Sequence, residues 1–575
     1  QHHSSEIIDP KTAHFTKRDY LFCWTLTAIY ALIAVLNLGS LQAPETFWRS
    51  SEGNETIRII FDNTETINEI RFFGGISEGE MLLSADDGSE ITFEQINGDM
   101  YRWVRVEGGF TAKEAVLSVN RGELWINEIA FFDTDGNYIP ALAEGGDGAP
   151  NIFDEPGQVP DLPTYLNGMY FDELYHARTA YEHLHGLQPY ENSHPPLGKI
   201  FIMLGIAVFG MNAFGWRIVG TLFGIGMVPI LYVFAKKLFK KSEYALLTAF
   251  LFTFDFMHYT QTRIATIDVY GVFFIILMYY FMYRYYCMNF FTDGLKKTLE
   301  PLFWAGLFFG FGAASKWIGF YAGAGLAVIL FTSLVQRFLE YRRGEADASV
   351  FWRNTVSTLL CCCIFYILIP VALYLASYLP YMLSVTRYDL GEIWSVQEFM
   401  FSYHSKLEAT HSFQSSWWEW PLNLRPIWYY WNSLLPKERA STIASFGNPA
   451  VWWPCTAGTF ILLFNLFRKK IRVNKGLFVV LVGIGANFLP WVLISRCTFI
   501  YHFFATVPFI IIASVYALKY FEENVKIAKW IKWIWMGLAL LLFILFYPVI
   551  SGLETTRDYA VFLNWLPTWY FVSEL

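Results

Sequence analysis

Apolar residues fill most of this chain in blocks of about 15 to 25, separated by short basic turns and two longer polar stretches. The first block, Tyr20 to Leu41, is long enough to span a bilayer and lacks a small-residue cleavage site, so it reads as a retained span. Lys11, Lys17 and Arg18 precede it and place the N-terminal side in the cytoplasm. The next block, Leu197 to Met211, is short for a hydrocarbon layer of about 30 Å. It is followed by Arg217 to Phe234 and the cluster Lys236-Lys237-Leu238-Phe239-Lys240-Lys241. For that cluster to be cytoplasmic, only one crossing fits after an external His194. The short block is therefore expected on, or re-entering from, the outer surface.

The remaining blocks alternate: 244–259, 267–286, 301–315, 317–335, 356–379, 451–467, 477–494, 501–518 and 533–550. Each basic cluster then falls on the cytoplasmic side, and the count is about eleven spans with an external C-terminus.

Between the first two spans the pattern changes. Runs such as Ile57-Arg58-Ile59-Ile60-Phe61, Glu69-Ile70-Arg71-Phe72-Phe73, Ile91-Thr92-Phe93-Glu94, Tyr101 to Val106, Ala115 to Val119 and Trp125 to Phe131 alternate or are β-branched. Asp87-Gly88, Asn97-Gly98 and Arg121-Gly122 mark turns between them. About seven strands in about 100 residues predict an antiparallel sandwich. It resembles the galactose-binding-like jelly roll of discoidin-type domains; a glycan- or membrane-binding module and a simple spacer both stay open. The expected class is a polytopic α-helical membrane protein with an external β-sandwich insert. Its parts are 1–42 (N-terminus and first span), 43–150 (sandwich), 151–214 (linker and juxtamembrane helices), 215–380 (membrane core), 381–449 (external aromatic loop), 450–550 (last spans) and 551–575 (external tail).

Composition agrees: 54% of residues are hydrophobic, 19% aromatic and 16% charged, against about 25% charged in soluble chains. The net charge of -8 and the lack of a basic tract exclude a nucleic-acid binder. No cysteine lies between Ala43 and Phe201, so no disulfide framework is expected in the sandwich. Gln1-His2-His3-Ser4-Ser5 reads as a tag remnant.

Candidate chemistry concentrates at Tyr170-Phe171-Asp172-Glu173-Leu174-Tyr175-His176 and His194-Pro195-Pro196-Leu197-Gly198-Lys199. Two adjacent carboxylates beside a bilayer are costly and call for a reason. One reason is a helix start, since carboxylates favour the positive end of the helix dipole. The other is catalysis.

These motifs resemble those of the protein O-mannosyltransferase family. So do Thr262-Arg263-Ile264-Ala265-Thr266-Ile267-Asp268 and Gly312-Ala313-Ala314-Ser315-Lys316-Trp317-Ile318-Gly319, the latter with one residue fewer between Ser and Lys than in some members. Tyr403-His404-Ser405, Ala409-Thr410-His411, Trp417-Trp418-Glu419-Trp420-Pro421-Leu422, Gly447 to Trp453 and Arg496 to His502 are similar to its bacterial C-terminal region. The ordered match covers about residues 165 to 520. The sandwich is absent from familiar members, and residues 380–449 are too few for the β-trefoil of eukaryotic ones.

The resemblance implies a GT-C glycosyltransferase in the bacterial plasma membrane with its active site outside. It implies a polyprenyl-phosphate sugar donor, mannose above all, and a Ser/Thr hydroxyl acceptor on a polypeptide. Asp172 is then the general base and Glu173, the second catalytic candidate, orients the acceptor or shapes the site, in a single inverting displacement. Arg217, Arg263, Lys316, Arg496 and Lys199 are candidates to balance the donor phosphate; a span-end cation also snorkels to headgroups. His194, His176, Asp268, His404, His411, His502 and Trp418 are candidates for substrate contacts, although His194 also reads as a turn residue and Trp418 as part of an interfacial belt. No cofactor is required, while Mg²⁺ or Mn²⁺ on the carboxylates stays open. A glycan, cell-wall or lipid acceptor is the alternative function. A transporter is the third, disfavoured because the ionisable residues gather at one membrane face. Oligomeric state is not legible in the sequence.

Overall fold

The computed structural model describes residues 13–50 and 55–573. The tag-like Gln1 to Ser5 and the basic Lys11 therefore lie outside the described residues. The chain divides into two compact units, one of residues 37–181 and 202–218, the other of the remainder.

The first unit is built on ten strands in two five-stranded antiparallel sheets. They are β1 (Trp48–Arg49), β2 (Thr56–Ile67), β3 (Glu69–Gly74), β4 (Glu78–Ala85), β5 (Glu90–Gln95), β6 (Trp103–Val106), β7 (Phe110–Glu123), β8 (Trp125–Phe132), β9 (Tyr138–Ile139) and β10 (Leu142–Glu144). One sheet runs β1-β8-β3-β6 with β9 on β8, and the other β10-β2-β7-β4-β5. Alternation decides their faces. Ile57, Ile59 and Phe61 of β2 point into one shared core with Phe72 of β3, Leu117 of β7 and Ile129 of β8, while the residues between those of β2 are exposed or half-buried. Strand β4 was not among the runs expected from the sequence. It carries Gly79 and no β-branched residue, so only Met81 and Leu83 signal its buried face.

In the second unit the helices are α1 (Lys17–Val35), then, after the sandwich, the end of α2 (Glu173–Leu184) and the start of α3 (Leu197–Phe209). The longer α4 (Ala213–Phe239), in this unit from Val219 onward, leads into α5 (Ser242–Thr253), α6 (Phe256–Arg263), α7 (Asp268–Tyr286), α8 (Leu295–Ser315) and α9 (Ile318–Arg342). A near-continuous rod follows: α10 (Ala348–Cys363), a π turn, α11 (Ile369–Ser377) and α12 (Leu379–Leu383). Then come α13 (Leu390–Lys406), α14 (Pro449–Phe467), α15 (Lys475–Val492), α16 (Val507–Asn524) and α17 (Ile531–Ser551).

Seven helical stretches among the described residues are long and apolar enough to cross a membrane. The four further spans expected from the sequence are helical but shorter or more polar. The 244–259 block breaks after Thr253 between α5 and α6; α7 starts on Asp268; α8 carries Lys296, Lys297 and Glu300; α16 ends in Lys519, Glu522 and Glu523. Helix α3 has 13 residues. At 1.5 Å per residue that is about 20 Å, short of a crossing.

Within the sandwich unit, Glu128 of β8 is fully buried, and its Oε1 has no hydrogen-bond partner. Burial foremost, with the charges of Asp154 and Glu155, pushes its carboxyl up to about 9, against a bond from the Glu155 N–H at 3.2 Å. A carboxyl raised in the folded state binds its proton more tightly there than when unfolded. Its contribution is therefore favourable at low pH and is lost as pH rises from the ordinary carboxylate range through about 9. With divalent cations chelated, Glu128→Gln is expected to raise the melting temperature at pH 8 and leave it unchanged at pH 4. A lower melting temperature at pH 8 contradicts this.

Candidate active site

The Asp172-Glu173 pair divides at a strained turn. Phe171 has φ of +50°, a left-handed conformation that aromatic residues seldom adopt. The Glu173 N–H closes the turn onto the Tyr170 carbonyl at 3.2 Å. Asp172 sits at the N-cap position of α2, its carbonyl accepting from the N–H groups of Tyr175 (3.0 Å) and His176 (3.1 Å). It is half-buried, whereas Glu173 is fully buried.

Glu173 is held by Arg217 in a two-pronged pair. Arg217 Nε donates to Oε1 at 2.7 Å and a terminal nitrogen to Oε2 at 2.8 Å. Oε2 also accepts from the Trp216 indole and the Tyr170 N–H, both at 3.2 Å. The remaining guanidinium hydrogens go to the carbonyls of Leu38 (2.9 Å), Tyr165 (2.8 Å) and Gly168 (3.0 Å). Five N–H groups make five bonds, at 1% exposure. Arg217 therefore has no hydrogen left for a donor phosphate, which corrects the expected role. The sequence could not signal this, because three of its partners are backbone carbonyls remote along the chain.

A second cluster forms within the helical unit around Glu191, which sequence reasoning missed. It is the one acidic residue between Glu182 and Glu243, a signal that was there to use. Its Oε2 accepts from Lys199 Nζ at 2.5 Å; its Oε1 accepts from the Ser193 N–H at 2.8 Å and lies 3.1 Å from His194 Nδ1. Lys199 also donates to the carbonyls of Glu191 (2.8 Å) and His194 (3.0 Å). Three ammonium hydrogens meet three acceptors at 0% exposure, so Lys199 too is removed from the phosphate ligands. Burial first, then the charges of Lys316 and Lys199, hold His194 below the usual imidazole range, with Glu191 pulling the other way.

Lys316, in the extended link between α8 and α9, donates to Asp268 at the start of α7 at 2.5 Å. Arg263 closes the C-terminal end of α1, donating from one terminal nitrogen to Leu36 (2.6 Å), Ala34 (3.1 Å) and Ile33 (3.3 Å). Arg496 differs from the other candidates. It is half-buried, makes a bond to the Cys497 carbonyl at 3.2 Å, and has no carboxylate partner among the described residues. Its charge acts on both His404 and His502.

His404, on the last turn of α13, lies 5.1 Å ring to ring from His194 and 5.9 Å from Trp317. His502 packs on Trp491 (4.3 Å) and Trp420 (5.9 Å). His176 is buried on α2. His411 is exposed and its Nδ1 accepts from the Phe413 N–H at 3.1 Å; Trp418 is exposed. The helical unit thus gathers His194, His404, His502, Asp268, Lys316 and Arg496, and leaves His411 and Trp418 at the surface. Among the described residues, three carboxylates come within 4.8 Å of one another as metal ligands would: Glu128, Asp154 and Glu155 of the sandwich unit.

The Glu173–Arg217 pair makes a prediction. Removing one partner leaves the other charge buried, at a cost of about 3–5 kcal/mol, whereas replacing both by apolar groups is often near neutral. Arg217→Met should therefore lower the melting temperature in detergent sharply, and adding Glu173→Leu should recover most of the loss. Additive losses contradict the pairing.

Comparison with known proteins shows the family. Residues 207–385 match the family profile described as dolichyl-phosphate-mannose-protein mannosyltransferase. Residues 390–569 match that of the C-terminal four-transmembrane region of protein-O-mannosyltransferase. The polyprenol-phosphate-mannose–protein mannosyltransferase of Mycolicibacterium smegmatis is 27% identical over 467 residues, 71% of this chain and 89% of the relative. That of Corynebacterium glutamicum is 26% identical over 431 residues, 65% of this chain and 81% of the relative. The Saccharomyces cerevisiae Pmt1-Pmt2 protein O-mannosyltransferase complex bound to the sugar donor shares the fold, with a TM-score of 0.58 at 13% identity over 70% of this chain and 89% of that one. With its two profiles in order over more than half its length, this polytopic membrane protein of GT-C fold belongs to the protein O-mannosyltransferase family.

Proposed function

We propose that the protein transfers mannose from a polyprenyl-phosphate carrier to a Ser or Thr hydroxyl of an exported polypeptide, at the outer face of a bacterial plasma membrane. The names of the relatives supply the sugar, the carrier and the protein acceptor. The observation that supports the chemistry is the division of roles in the carboxylate pair: Arg217 engages Glu173 in a buried ion pair, and Asp172 stands half-buried at the start of α2.

A hydroxyl is a weak nucleophile and gains from a carboxylate that takes its proton as the new bond forms. Asp172 has that role. The acceptor oxygen attacks the anomeric carbon, its proton passes to Asp172, and the bond to phosphate breaks with its electron pair on the carrier. The leaving phosphate needs cations rather than a proton. Arg496, with no acid partner among the described residues, supplies one, and Lys316, neutralised in part by Asp268, a second. Glu173 orients the turn instead of touching substrate.

A second reading, a glycan or cell-wall acceptor, draws on the sandwich, which lies outside both matched segments. The test supplies the purified full chain with polyprenyl-phosphate-mannose and Ser/Thr peptides. Mannosylated peptide is expected, and Asp172→Asn should cut turnover about 10²–10⁴-fold. Arg496→Gln should raise the KM for the donor about tenfold or more while leaving that for peptide unchanged. Transfer to glycan or lipid but to no peptide would replace this reading by the second.

A further inference from the structure

His404 carries an unspent acceptor in the charged cluster. Its Nε2 lies 2.7 Å from the Ser193 carbonyl oxygen. A carbonyl only accepts, so Nε2 carries the hydrogen. Burial first, then the charges of His194, Arg496 and Lys316, hold His404 down to about 4, so the ring is neutral near pH 7. A neutral ring with hydrogen on Nε2 leaves Nδ1 a bare lone pair. That Nδ1 is buried and has no hydrogen-bond partner. Buried polar atoms without partners are exceptions in folded chains.

What singles this one out is its setting. The Ser193 bond ties α13 to the turn that bears His194, and the two rings meet edge to face at 5.1 Å. Gln397, two turns earlier on α13, donates to the Tyr378 hydroxyl at 2.9 Å and accepts from the Tyr374 hydroxyl at 2.6 Å. Tyr374 in turn accepts from the Trp317 indole at 3.1 Å, next to Lys316. The ring is thus fixed at both ends of its helix segment, and its lone pair cannot be redirected cheaply.

We infer that His404 Nδ1 is a hydroxyl-recognition atom: it accepts a hydrogen bond from an O–H of the substrate, on the sugar or on the Ser/Thr acceptor, and does not contact the donor phosphate. The ionised phosphodiester group of the donor has no hydrogen to give, and its oxygens are repelled by a bare lone pair, whereas every hydroxyl of the sugar or the acceptor is a donor. The assignment rests on the mannosyl-transfer reading for the identity of the ligands and narrows it: cations take the phosphate, and a neutral imidazole takes a hydroxyl.

Two substitutions separate this from a structural role. In His404→Gln the amide reaches the Nε2 position, so the Ser193 contact is kept and the Nδ1 acceptor is lost. In His404→Asn the amide oxygen stands near Nδ1, and the Ser193 contact is lost. Equilibrium binding to the full chain would be measured for polyprenyl phosphate, polyprenyl-phosphate-mannose and a Ser/Thr peptide. His404→Gln should weaken either the mannose-bearing lipid or the peptide about tenfold, which says whose hydroxyl is bound. His404→Asn should bind that ligand better than His404→Gln does, and polyprenyl phosphate should bind all three proteins alike. The inference is overturned if polyprenyl phosphate itself is weakened in His404→Gln, if neither of the other ligands is affected, or if His404→Asn is the more damaged variant. Binding rather than turnover is read, so a protein that fails to transfer mannose sinks the proposed function and still tests this assignment.

Discussion

The buried pair of Glu173 and Arg217 is the interaction on which the candidate site depends. Neither charge can be left alone in an apolar surrounding, and the arrangement satisfies both. Arg217 gathers the carbonyls of Leu38, Tyr165 and Gly168 onto one guanidinium, and these come from the segment that leads into the sandwich and the one that leads out of it to α2. The pair holds Glu173 buried, next to a turn in which Phe171 is left-handed and Asp172 half-buried. A short Asp-Glu motif thereby places one acid in a buried ion pair and the other half-buried at the start of α2.

The same logic sorts the cations. Charge counting along the chain treats Arg217, Lys199, Lys316 and Arg496 alike. In the folded protein the first two have every hydrogen committed at almost no exposure, the third shares its charge with Asp268, and the fourth faces no carboxylate among the described residues. Basic residues in an apolar setting are expensive, so most are there because a partner compensates them. The ones that can bind an anion are those whose compensation is incomplete.

Much of the architecture was legible in the sequence. Alternation located β2, β3, β5, β6, β7 and β8, and the apolar blocks located the long helices, because both periods follow directly from which face is buried. Strand β4 escaped, since Gly79 and unbranched side chains weaken the local signal. The motifs pointed to the residues of the site but not to their division of labour. Whether a carboxylate is spent on a neighbouring guanidinium is a tertiary fact, set by chain segments far apart. Glu191 shows the converse. It was visible as an isolated acid beside His194 and Lys199, yet only its three contacts make its role readable.

Asp172 as general base has a stereochemical consequence. Retention at a sugar carbon takes two displacements and, as a rule, a second carboxylate acting as nucleophile. Glu173 is paired with Arg217 and Asp268 with Lys316, and the proposed base Asp172 serves one displacement. The most direct measurement is the anomeric configuration of the product, read by NMR from a donor of defined configuration. Inversion is predicted. Retention would contradict the account at its centre, because Asp172 would then have to act as a nucleophile or Glu173 would have to leave Arg217.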